Sequence, residues 1–106
     1  MTAKRTVIRQ SAEWDLERIT EFYITESGGA VAARFLDAVA RSVQDVSHNP
    51  EIGSRRFADL LRMPRLRTWP VAGFPYLIIY VEADDEIAVV KVVHHRRDIP
   101  SVLIER

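Results

Sequence analysis

Arg67, His94, His95 and Glu51 are the residues through which this chain could do chemistry. RNA can be cut without a metal when a base takes the 2′-OH proton, a cation holds the phosphate and an acid protonates the leaving oxygen. Arg67 could hold a phosphate. His94 or His95, with an unperturbed pKa of about 6.5, could act as acid or base, and Glu51 is a second titrating group. The competing assignment is structural: His94 packs its ring inward at a strand end while Arg67 bonds a carboxylate such as Asp98. We expect the structural assignment. A guanidinium stays protonated and suits recognition of anions; it is a poor general base.

Other chemistries find less support. His94 and His95 are adjacent, and on a strand they are expected to point to opposite faces, which keeps them off one metal ion. His48 is remote in sequence. Gly28-Gly29 lacks the flanking residues of a phosphate-binding loop. A triad drawn from Ser11, His94 and Asp98 has no nucleophile elbow. No metal and no cofactor are expected.

Composition narrows the class further. The chain has 106 residues and no cysteine, so disulfides and thiolate-held zinc are excluded. Its start is not followed by an apolar run of signal-peptide length, and no segment approaches the roughly 20 apolar residues of a spanning helix. A cytoplasmic, single-domain protein over residues 1–106, without membrane attachment, is the expectation. Formal net charge is zero, which argues against a non-specific nucleic-acid binder; direct sequence-specific DNA binding by the chain alone is not expected either. The charge is nevertheless segregated. Residues 13–26 carry Glu13, Asp15, Glu17, Glu21 and Glu26 against Arg18 alone, whereas residues 55–67 carry Arg55, Arg56, Arg62, Arg65 and Arg67 against Asp59 alone.

The elements that must position these groups follow from periodicity. Thr6-Val7-Ile8-Arg9 reads as a short edge strand. Ser11 is placed to cap a helix in which Ala12, Leu16, Ile19 and Tyr23 recur at helical spacing. Gly28-Gly29 stops it. A second helix runs from about Ala30 to His48 and ends at Asn49-Pro50, since proline disfavours helix in the residue before it. Glu51 to Arg65 is unassigned, apart from a helical turn at Ala58–Leu61. Leu66–Val71, Tyr76–Val81 and Ile87–Val93 read as an antiparallel meander, with an acidic loop at Ala83-Asp84-Asp85-Glu86. Both faces of the middle strand are apolar. The helical hairpin covers one, and only the short C-terminal tail, with Val102-Leu103-Ile104, remains for the other. An apolar patch left open in this way marks a partner surface.

In the order Asn49-Pro50-Glu51-Ile52-Gly53, Leu66-Arg67, Tyr80 and Val92-Val93-His94-His95-Arg96-Arg97-Asp98, the chain resembles the ParE/RelE toxin superfamily, and specifically its ParE branch. The last segment is similar to the V-L-H-x-R-R-D ending common in ParE-like proteins. The resemblance implies an α+β fold: N-terminal strand, helical hairpin, three-stranded antiparallel meander and short tail. It also implies the toxin of a type II toxin–antitoxin system with a role in plasmid stabilisation, held in a heteromeric complex by a ParD-like antitoxin, with DNA gyrase as target. RelE-like relatives instead cleave mRNA on the ribosome. Their basic and acid/base positions correspond to Arg67 and His94, but no tyrosine follows Tyr80 and no lysine lies between Lys4 and Lys91, so that set is incomplete here. A non-enzymatic gyrase inhibitor is the expected function; a ribosome-dependent endoribonuclease, or a homologue that only binds the antitoxin, is the alternative. Trp14, Arg55, Arg56, Arg65, Arg67 and Trp69 are the expected antitoxin contacts, and His94, His95, Arg96, Arg97 and Leu103 the expected target surface.

Overall fold

The structure is a computed structural model, and it describes residues 3–96 and Ile99. Its elements are β1 (Arg5–Ile8), α1 (Gln10–Ser27), α2 (Gly29–His48), a 3-10 turn at Pro50–Ile52, α3 (Arg56–Leu61), β2 (Leu66–Pro70), β3 (Tyr76–Glu82) and β4 (Glu86–His94). The four strands form one sheet in the order β1-β4-β3-β2. β2, β3 and β4 are the expected antiparallel meander. β1 pairs in parallel with β4, Arg5 opposite Glu86 and Ile8 opposite Val89. The α+β order read from the sequence is the order observed, and Val102-Leu103-Ile104 lies outside the described residues.

The helical hairpin turns at Gly28, whose φ of 90° is a conformation that side chains with a Cβ rarely adopt. Gly29 is already the first residue of α2. Ser11 does not cap α1. The cap position is Arg9, without a side-chain bond, and Ser11 sits inside the first turn, where its hydroxyl accepts from Lys91 Nζ at 3.1 Å.

Strand alternation sends β3 side chains to two separate cores. Ile78, Tyr80 and the half-buried Tyr76 pack under the hairpin with Ala12, Ile19, Phe35, Val39, Val46, Val89 and Val92. Tyr23, Phe35, Phe74 and Tyr76 close this core with ring centroids 5.3 to 6.4 Å apart. On the opposite face, Leu66, Ile79 and Val93 are buried beneath Ala58 of α3 and Ile99, with Phe57, Leu61, Leu77, Val81 and Val90 packed around them and partly open. The expectation that only the tail could cover this face is therefore corrected. A six-residue helix in the segment left unassigned lies over it, because Ala58 is small enough for close approach and Phe57 and Leu61 flank it at helical spacing.

The sheet edges are also managed by side chains. β1 stops at Ile8 while β4 continues to His94, and beyond that point α1 flanks β4. There Asp15, 2% exposed, accepts from the Val92 N–H at 2.9 Å, Lys91 Nζ at 3.2 Å and Arg18 at 2.6 Å. Three donors, two of them cationic, offset the cost of burying a carboxylate. Asp15 had been counted with the acidic helix surface. Its position three after Ala12 and four before Ile19 places it on the apolar stripe instead. At the other edge, Ser54 exchanges two backbone bonds with Thr68, at 2.8 and 3.0 Å. Pro70 has no N–H, and its carbonyl accepts from Ser42 Oγ at 3.0 Å. The outer edge of β2 is thereby closed to strand addition.

Candidate functional site

The segment Asn49–Gly53 is bound to the sheet by two residues with polar side chains. The Tyr80 hydroxyl donates to Pro50 O at 2.7 Å and accepts the Gly53 N–H at 3.0 Å. Burial raises the Tyr80 pKa, so the phenol stays protonated and able to donate. Gly53 is required by space: a Cβ there would collide with the Tyr80 hydroxyl and ring edge and with Thr68 O. Arg67, half-buried and opposite Tyr80 in the β2–β3 register, donates to Glu51 O at 3.2 Å and Gly53 O at 3.0 Å. Its guanidinium fixes the loop through backbone carbonyls. The Glu51 side chain is exposed.

His94 lies elsewhere. It pairs with Tyr76, four residues along β3 from the Tyr80 that faces Arg67. Those four residues span roughly 13 Å along the strand, and β2 and β4 stand roughly 10 Å apart across it. The phosphate-holding and proton-transferring candidates are thus separated on the sheet. The His94 ring meets the Tyr76 edge at 5.4 Å and stacks on His95 at 4.8 Å, with 19° between the planes. The stacking corrects the expectation of opposite-facing histidines. β4 ends at His94, and His95 turns back to Pro75, whose carbonyl accepts its backbone N–H at 2.9 Å. His95 Nδ1 lies 3.0 Å from the same carbonyl. Partial burial, then the charges of His95 and Arg96, lower the His94 pKa below its ordinary value. Its Nδ1 accepts from the Arg96 N–H at 3.2 Å. Arg97, Asp98 and Leu103 lie outside the described residues. Among the described residues no cluster of three or more groups could hold a metal ion.

The arginine patch forms a rim around α3. Arg55 donates to Pro64 O at 3.2 Å, the Arg56 guanidinium lies over the Phe57 ring, and Arg65 reaches Glu82 O and Asp84 at 3.3 and 3.4 Å. Leu60 and Met63, 67% and 42% exposed, stand among them. Neither was singled out in the sequence, although Leu60 lies four residues after Arg56 and one after Asp59, on the polar side of α3. The two tryptophans are not with this rim. Trp14 is exposed on α1, across the sheet. Trp69 is half-buried beside α2, where it walls an open cleft of about 410 Å³ with Ala38, Arg41, Ser42, Asp45 and Pro70.

Comparison with known proteins places this architecture. The profile of the family described as "ParE toxin of type II toxin-antitoxin system, parDE" matches residues 7–99. Among solved structures the chain is similar to one titled "Chromosomal ParDE TA system from P. aeruginosa", with TM-score 0.72 and 17% identity, covering 87% of this chain and 96% of that one. At that identity the likeness shows a shared fold. A search of curated proteins found no match. With its sheet order, helical hairpin and a family match over most of its length, the chain belongs to the ParE toxin family of type II toxin–antitoxin systems.

Proposed function

We propose that this ParE-family chain stops growth by binding DNA gyrase without catalysing a reaction, and that a ParD-like antitoxin neutralises it. The observation that carries the non-enzymatic reading is the use made of Arg67. Its donors serve the Glu51 and Gly53 carbonyls, far from His94, so the groups that RNA cleavage would need do not converge. The α3 face supports a peptide partner. Apolar side chains of the antitoxin would lie over Leu60, Met63 and the partly open Leu77 and Val81, and its carboxylates would meet Arg55, Arg56 and Arg65. Trp69, which packs on the hairpin side of the sheet, and Trp14 on α1 would both stay outside it. Apolar centres with arginine rims commonly dominate such interfaces. The strand exit at His94, His95 and Arg96 is the proposed target surface, with the His94 pKa depressed below its ordinary value.

Supercoiling by purified gyrase tests this reading. Added protein should reduce supercoiling, and pre-mixing with a ParD-like antitoxin should restore it. Unchanged supercoiling, together with cleavage of translated mRNA that is lost in His94→Ala, would replace the reading with a ribonuclease.

A further inference from the structure

Two exposed patches of opposite charge are left unneutralised by the fold. On α1, Glu13, Glu17 and Glu21 follow at four-residue spacing, and Trp14 shares an arc of about 60° with Glu17 and Glu21. None of these carboxylates is in an ion pair among the described residues, and Arg18, the cation between them, is bonded to Asp15. Like charges at this spacing weaken a helix, so helix stability does not account for the row. Trp14 and Phe22 are 58% and 54% exposed along the same helix.

Around α3 the signs reverse. Arg55, Arg56 and Arg62 have no ion pair among the described residues, and Leu60 and Met63 stand between them. Among the described residues, Trp14, Phe22, Leu60 and Met63 are four of the six large apolar side chains left exposed, so the exposed apolar surface described concentrates in these two patches. α1 packs on one face of the sheet and α3 on the other. One molecule cannot bring the patches together.

We infer that copies of this chain without antitoxin associate head to tail, the Trp14–glutamate face of α1 on one copy seating against the Leu60–arginine face of α3 on the next. The occupant is a second copy because the two patches match in sign and each has an apolar centre. The contact is heterologous, so it propagates to a ring or a short filament rather than stopping at a two-fold dimer. It does not use strand addition at β2, whose edge is closed. Arg55 and Arg56 are also the residues proposed to receive antitoxin carboxylates. Self-association and antitoxin capture then exclude one another, a corollary that rests on the reading above.

Sedimentation velocity of the purified full chain, without antitoxin, tests the inference. Weight-average mass should rise with concentration at low salt and fall toward the monomer as salt screens the patches. Glu17→Arg/Glu21→Arg and Arg55→Glu/Arg56→Glu should each weaken association about tenfold or more, with unchanged circular dichroism. Mixing the two variants should restore it, because each reversed face then meets a complementary one. A wild type that stays monomeric at low salt overturns the inference, as does a mixture that stays monomeric while the wild type associates. A monomer that still binds the antitoxin would sink self-association alone and leave the toxin reading standing.

Discussion

The two faces of the sheet are covered very differently. Two long helices and a cluster of four aromatic rings lie over one; a six-residue helix and Ile99 lie over the other. The first is a core in the ordinary sense, with Phe35, Ile78 and Tyr80 fully buried. The second is deep only along Leu66, Ile79 and Val93, and it opens outward through Leu77, Val81 and Val90. Stability is concentrated on the hairpin side, and the α3 side is left free to specialise in contact.

Substitutions can break or sharpen this contrast. Phe35→Ala, under the hairpin, should cost about 3–5 kcal/mol, read as the shift in urea midpoint. Gly53→Ala should cost about 1–3 kcal/mol, because the added methyl forces Tyr80 and the Pro50–Gly53 loop apart; amide exchange at Gly53 should speed up accordingly. Leu61→Ala, on the half-open face, should cost only about 1–2 kcal/mol. If it equals Phe35→Ala, the two faces are equally sealed and the contrast fails. Leu60→Ser should change stability by less than about 0.5 kcal/mol, while an antitoxin titration should show capture weakened about tenfold, the proposed role of that face.

The smallest effect belongs to His94. Its pKa is lowered in the folded state, first by burial and then by His95 and Arg96. As pH falls below the unfolded value of about 6.5, the unfolded chain takes up the proton first. The contribution of His94 is therefore complete above that pH and declines as pH falls toward the folded pKa. Chemical denaturation at several pH values should show this slope in the wild type and a flatter one in His94→Gln.

Periodicity made the hairpin and the meander legible. Ala12, Leu16, Ile19 and Tyr23 mark one stripe, and the β-branched runs of β3 and β4 leave little choice of element. α3 was hard to read because its six residues are too short to show a helical period; its helix exists because Ala58, Phe57 and Leu61 find the sheet, a long-range contact. Pairing of β1 with β4 was not expected, since no local pattern encodes which strands become neighbours. Among the candidate site residues, Arg67 and Tyr80 drew attention by type, but their task, holding the Pro50–Gly53 loop, emerges only from a register that brings residues far apart in sequence together. Asp15 was misread because charge was weighed before phase on the helix.

The parallel pairing of Arg5–Ile8 with Glu86–Val89 has a consequence for biogenesis. Among the described strands, β4, an interior strand of the sheet, is the last to be translated, and its neighbour on one side, β1, is the first. The helices can form while the chain is still emerging, but the sheet stays incomplete until Glu86–His94 has emerged, and closing so long a loop is slow. A nascent chain stalled before Glu86 would lack Val89 and Val92, which β4 adds to the hairpin's floor. An antitoxin already present in the cell would therefore meet the complete sheet only once Glu86–His94 has emerged.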